Sequence, residues 1–341
     1  MRFRSAAVLA ALVTATAMTT ATSTVATAQD LTSASLGVVY DLDDANSVSI
    51  ARLYVAKRGI PPENLLGVHV GHTDVMSPDA FASLRREVLD GLSTAVQSLA
   101  IVWSQPYAVG CMSITSAMAA GYRADFCTSQ CAATPKNPLF DVLSWLPADT
   151  VGWWPAMLLP TDDTALARAL IERGLEADGT RPPGTVYLVH TPDSHRNVRA
   201  ASYGDARAVL DPRVRVVELW TPIERSVADA IGYFTGAARV AELSQIHFRP
   251  GAVADHLTSF GGILDGRGQM SVIDWIRQGA TASFGTVSEP CNIPGKFPDI
   301  AVLMRHYLAG DTALEAYWKS VAMPGQGLFV GEPLSRPYGK P

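Results

Sequence analysis

The chain has 341 residues, with 27 Lys and Arg against 32 Asp and Glu, a formal charge of −5, and 48% hydrophobic but only 17% charged residues. So apolar a composition excludes a disordered chain, and without a concentration of Lys and Arg there is no cationic face for binding nucleic acid. At roughly 100–200 residues per domain, the length suits one large domain or two small ones.

Residues 1–28 read as an address. Arg2 and Arg4 form a basic start, residues 6–18 are an apolar run too short to span a bilayer, and Ala26-Thr27-Ala28 offers the small residues of a cleavage site before Gln29. Cleavage there leaves 29–341 with a charge of −7. No later stretch approaches the ~20 apolar residues of a membrane helix. The expectation is a secreted or periplasmic protein with no membrane span.

Export changes how Cys111, Cys127, Cys131 and Cys291 read. An even number in an oxidising compartment favours two disulfides, with three possible pairings. Cys127 and Cys131 make a plausible local bridge, leaving Cys111 with Cys291. The competing reading keeps Cys291 free as a nucleophile. No His stands near the 127–131 pair, so no zinc site is expected, and no cofactor is implied.

Along the chain, short apolar runs alternate with helical patterns. A strand over 36–41 precedes a helix capped by Asn46 or Ser47 and ended near Gly59. A strand at 65–70, a helix at 78–96 and a strand at 99–103 follow. Residues 104–161 are loop-rich and read as an insertion carrying Trp153 and Trp154. Alternation resumes with a helix at 163–177, a strand at 185–190, a helix at 195–210, and strands at 214–219, 228–234 and 251–255. The pattern closes with a helix at 270–278, a strand at 280–285, helices at 298–309 and 312–321, and a last strand at 328–330. Strands apolar throughout and separated by helices predict an α/β domain over 29–341, with a mostly parallel sheet covered on both faces. In such folds working groups gather at the carboxyl ends of strands.

The richest stretch is 251–262, where an apolar strand ends in Asp255, His256, Thr258 and Ser259 before Gly261 and Gly262. A hydroxyl, a base and an orienting carboxylate are what nucleophilic catalysis requires, with glycine N–H groups as oxyanion donors. Neighbours on a strand point to opposite faces, however, so Asp255 and His256 share a pocket only if the strand has ended. The bland alternative is a strand terminus with Thr258 or Ser259 capping a turn. The loop 286–292 also follows an apolar strand and is expected to bring Glu289 and Cys291 near His256, where an imidazole activates a thiol. Its alternative is a Pro-stiffened turn stapled by Cys291. Asp41, Asp43 and Asp44 offer a carboxylate cluster for a hard cation, or ordinary helix capping. His69, His72 and Asp74 look metal-like or are solvated loop residues. His190, His195 and Arg196 are candidate pocket liners, and Arg196 and Arg199 are candidates to receive an anionic substrate group.

Three passages carry a family resemblance: Asn46 to Asn64, Ala254 to Gly262, and Gly279 to Cys291 with Lys296-Phe297-Pro298. They resemble a family of uncharacterised exported bacterial proteins. The second half is more distantly similar to gingipain-type cysteine peptidases of the caspase clan, which implies a caspase/gingipain-like three-layer sandwich and a hydrolase, peptidase-like, acting on a peptide or other extracellular ligand. By that resemblance Gly232-Tyr-Phe-Thr-Gly236 sits where a histidine motif belongs, Ser259 about where the nucleophilic Cys stands, and Gly331-Glu-Pro333 at the terminal motif. Phe234 and Thr235 supply no base. The expected machinery is therefore His256 with Ser259 or Cys291, assisted by Asp255 and Glu289. The other expectation is a silent binding protein using the same cleft, with Trp153 and Trp154 as contacts.

Overall fold

A computed structural model describes residues 30–126, 131–210, 212–220 and 227–339. The expected signal peptide and Cys127 lie outside the described residues. In chain order the elements are β1 (Leu36–Asp41), α1 (Ala45–Arg58), β2 (Leu65–Val68), β3 (Val75–Met76), α2 (Pro78–Gly91), β4 (Ser98–Val102), β5 (Ala108–Val109), β6 (Met112–Ser113), α3 (Ile114–Ala120), α4 (Pro147–Val151) and β7 (Ala156–Leu158). They continue with α5 (Thr164–Ala177), β8 (Thr185–His190), α6 (Tyr203–Leu210), β9 (Arg215–Trp220), β10 (Val227–Thr235), β11 (Ile246–His256), α7 (Val272–Gln278), β12 (Ala282–Thr286), α8 (Ile300–Ala309), α9 (Ala313–Ser320) and β13 (Gly327–Gly331).

The main sheet has ten strands in the order β2-β1-β4-β7-β13-β12-β11-β10-β8-β9. Every neighbouring pair is parallel except β12 and β13, where Ala282 faces Gly331 and Thr286 faces Gly327. That antiparallel seam divides the sheet into two parallel halves whose carboxyl ends emerge at opposite edges. The fold class is thus α/β with a mostly parallel sheet and helices on both faces. The side chains show why its strands read as unbroken apolar runs. Val38 packs into one core cluster and its neighbour Val39 into another. Helices α1, α6, α8 and α9 cover one face through residues such as Tyr54, Leu210, Leu303 and Trp318. Helices α2, α3 and α7 cover the other through Phe81, Ile114 and Ile276.

Local chemistry departs from the sequence expectations at several points. Asp44 caps α1, its carboxylate accepting from the N–H groups of Asn46 and Ser47, so the cap falls before the two expected residues. The strand expected to end at Asp255 runs through His256. Within 104–161, β7 is an interior strand of the main sheet between β4 and β13, so that segment is not wholly an insertion. Trp153 stacks edge-on against Trp318, with ring centroids 6.4 Å apart, and Trp154 lies under the Arg85 guanidinium. Both are half-buried packing groups rather than an exposed contact pair.

Each half closes around a switch point, where the chain leaves one strand to both sides. From β1 it passes to β2 and then back to β4 on the other flank. From β8 it passes to β9 and then to β10. Crevices form outside the carboxyl ends at such points.

A buried ion pair ties the end of α1 to the end of β13. Arg58 reaches the fully buried Glu332 with two guanidinium nitrogens and also meets Asp178. Burial works against charge on both side chains, and the facing partner offsets it; Glu332 is pushed up by burial while Arg58 draws it back. Removing one partner of a buried pair typically costs 3–5 kcal/mol, whereas an apolar replacement of both is far milder. Arg58→Met should therefore lower unfolding free energy in urea by about 3–5 kcal/mol, and Arg58→Met with Glu332→Leu should recover much of it.

Candidate functional site

Strands β10 and β11 run side by side, with Phe234 opposite Asp255 and Thr235 opposite His256. Asp255 has the parity of Val253 and Leu257, which belong to the cluster under α8 and α9. His256 has the parity of Ala254, which packs with Trp275 of α7 on the other face. Strand alternation therefore separates the imidazole from its supposed orienting acid by the thickness of the sheet.

Both groups are already committed where they lie. Asp255 is fully buried and ion-paired with Arg199, whose guanidinium also donates to the carbonyls of Thr235 and Pro298. Burial pushes the Asp255 carboxyl up and Arg199 draws it down. His256 is equally buried. Its Nε2–H donates to the Met270 carbonyl at 3.0 Å, and its Nδ1 accepts from the Trp275 indole N–H at 2.8 Å. The indole has no acceptor capacity, so this pattern fixes the neutral tautomer. Burial pulls the His256 pKa down to about 4. No nitrogen remains to take a proton from Ser259, which corrects the role of general base expected for His256.

The loops that follow these strands do come together. A cleft of about 420 Å³ is lined by Thr258 and Ser259 after β11, Glu289, Cys291 and Asn292 after β12, and His195 and Arg196 after β8. Arg196 is held at its back, bonding Asp193 at 2.7 Å and the Thr258 hydroxyl at 2.9 Å. Thr258 in turn donates to Gln269 Oε1 at 2.6 Å. Glu289 is exposed and caps the N–H of Cys291 at 2.7 Å. Ser259 is half-buried, and its carbonyl accepts from Thr286.

Cys291 lines the cleft as half of a disulfide with Cys131, across 160 residues. Both half-cystines carry left-handed φ angles, +48° at Cys131 and +58° at Cys291, a conformation that non-glycine residues adopt at a cost of about 1–2 kcal/mol. The expected pairings of Cys131 with Cys127 and of Cys291 with Cys111 are thus replaced by one long-range bridge, and Cys291 offers no free thiol. Cys111 is also disulfide-bonded.

Gly261 and Gly262 serve close packing. A Cβ on Gly262 would sit 2.6 Å from the Gly285 carbonyl oxygen, and the Gly262 N–H donates to Thr286 O at 2.9 Å. Gly262 is therefore spent as an oxyanion donor. Glu332 of the terminal Gly-Glu-Pro is spent likewise, on Arg58.

At the opposite edge, a crevice of about 260 Å³ lies at the β1/β4 switch point, lined by Asp41, Asp43, Asp44, His72, Ser104 and Asp162 among others. Its acids are occupied locally. Asp41 accepts from Asp43 N–H, Asp44 caps α1 and accepts from Thr161, and Asp43 meets His69 at 2.8 Å. Here the capping reading of the Asp cluster accounts for the contacts. His69 points to Asp43 rather than sharing a site with His72. Among the described residues, the carboxylates that converge as metal ligands would are Asp30, Asp311 and Glu315, and these are taken by Arg336, Lys319 and the N–H groups of Leu31 and Thr312.

Sequence reasoning passed over the partners of His256, Met270 and Trp275, which stand 14 and 19 residues further on. The spacing in Ser271-Val-Ile-Asp274-Trp275 marks a capped helix start, but nothing in it announces an indole aimed at an imidazole.

A solved structure described as "Structure of Protease" is similar to this chain with a TM-score of 0.45 and 11% identity, over 91% of this chain and 80% of that one. No family model and no curated protein matches the sequence.

Two measurements check the site. His256 titrates near its ordinary 6.5 when unfolded and at about 4 when folded, so between those values the unfolded state binds the extra proton. Its share of stability is intact above pH 6.5, falls with pH below that, and levels off near pH 4 after a loss of about 3 kcal/mol. The slope of unfolding free energy between pH 6.5 and 4 should be visibly shallower in His256→Gln than in wild type. In the oxidised denatured protein, Cys291 should resist alkylation until reductant is added, and Cys131→Ser should free one thiol at Cys291.

Proposed function

We propose that this is an exported, catalytically silent binding protein of caspase/gingipain-like architecture, which takes a peptide or other extracellular ligand in the cleft around Ser259. The observation that carries the reading is the commitment of both His256 nitrogens on the far face of the sheet from Asp255. With His256 committed on the far face, the Ser259 hydroxyl lacks the base expected for it, and the bridged Cys291 has no thiol to offer. What is left at the cleft surface recognises rather than reacts: Arg196 held by Asp193, the Thr258 hydroxyl, Ser259 and the exposed Glu289. The bridge supports the exported setting, since disulfides persist in oxidising compartments. Among the described residues no helix is long and apolar enough to cross a membrane.

One observation favours a second reading, a peptidase-like hydrolase. His195, Ser259 and Glu289 line the same cleft, so an exposed imidazole, a hydroxyl and a carboxylate share one space. That reading replaces His256 by His195 as the base.

Fluorophosphonate and epoxide probes for serine and cysteine hydrolases separate the two. The binding reading expects no labelling of the native protein. Labelling that is lost in both Ser259→Ala and His195→Ala, yet persists in His256→Gln, would establish the hydrolase instead.

A further inference from the structure

The switch point between β8 and β10 opens a second hollow, of about 340 Å³, that shares no lining residue with the Ser259 cleft. It lies where ligands of open α/β sheets gather, outside the carboxyl ends of two strands from which the chain departs to opposite sides. Val189, Tyr233 and Thr235, each 1% exposed, line it from the strands, and the segment 237–242 closes round them. Val189, Pro192, Tyr233, Val240 and the alanines of 237–242 give it apolar walls. A cavity of roughly 150 Å³ holds one benzene ring, so this volume takes a ring and a short chain.

Three charged residues share the lining: Asp193, Arg239 and Glu242. Asp193 is ion-paired with Arg196 at 2.7 Å, and Glu242 accepts from the Gln245 amide at 2.9 Å. Arg239 is exposed and forms no hydrogen bond, ion pair or ring contact with any described residue. The N–H groups from Ala237 to Ala241 donate to no described residue either. The segment around Arg239 therefore offers donors that the fold has not used, and a guanidinium has no acceptor of its own. Glu242 has only a neutral partner and keeps its negative charge, which favours a ligand with a single carboxylate over a dianion.

We propose that this hollow binds an apolar monocarboxylate, its ring or chain against Val189, Tyr233 and Val240 and its carboxylate on the Arg239 guanidinium. The planar guanidinium fork matches a carboxylate with two parallel N–H···O bonds, while the apolar body leaves water for the walls. A free small acid and the C-terminal residue of a peptide share this chemistry. Because no lining residue is common to the two sites, the assignment is independent of what the Ser259 cleft does.

NMR titration of the amide-labelled protein with 3-phenylpropanoate, its neutral amide 3-phenylpropanamide, and acetyl-Gly-Gly-Phe with a free carboxylate tests it. Saturable binding of at least one acid is expected, with shifts centred on the amides of 189–193 and 237–242. The neutral amide should bind about three- to tenfold more weakly than 3-phenylpropanoate wherever the latter binds. Arg239→Gln removes the charge at an exposed position, should leave far-ultraviolet circular dichroism native, and should abolish the advantage of the carboxylate. Tighter binding of the peptide than of 3-phenylpropanoate identifies a chain terminus as the source, and the reverse order identifies a free acid. No saturable binding of either acid, shifts centred elsewhere, or a preference for the carboxylate that survives Arg239→Gln overturns the proposal.

Discussion

Burial of β11 on both faces governs what its terminal residues are able to do. A strand packed on two sides has no free surface on which neighbouring side chains meet, so Asp255 enters one core and His256 the other. Each is then obliged to find partners locally, because an unpaired buried charge or imidazole is costly. Arg199 answers the first and Trp275 with Met270 the second. Residues that look like reaction chemistry in one dimension become the polar fasteners of two separate interiors.

The antiparallel β12/β13 pair sets the remaining geometry. Because it reverses direction in mid-sheet, the two parallel halves send their carboxyl ends to opposite edges, and each half owns a crevice. The first-half crevice spends its acids on capping α1 and on Thr161. The second-half edge keeps two hollows, one around Ser259 and one above Tyr233. Asp193 lies in the loop between them, lining the Tyr233 hollow while holding Arg196, which lines the other.

Much of this frame was legible in the sequence because doubly buried parallel strands must be apolar throughout. The runs at 36–41 and 185–190 coincide with β1 and β8 to the residue. Three features were illegible for physical reasons. Strand β7 is only Ala156–Leu158, too short to show a period amid Trp and Pro. The reversed direction of β13 is a property of its connection, not of Gly327–Gly331 itself. The partner of Cys291 lies 160 residues away, and spacing carries no information over that distance. The meeting of the loops after β11 and β12 follows from strand adjacency alone, but the direction of the His256 ring depends on where α7 packs.

The long-range bridge has a consequence for the integrity of the molecule. A single backbone cut anywhere between Cys131 and Cys291 cannot release a fragment, because the severed ends stay in one covalent body. Such a nicked chain would migrate at full mass on a non-reducing gel and fall into two pieces only when the sulfurs are separated. Clipping and dismantling thereby become two different events.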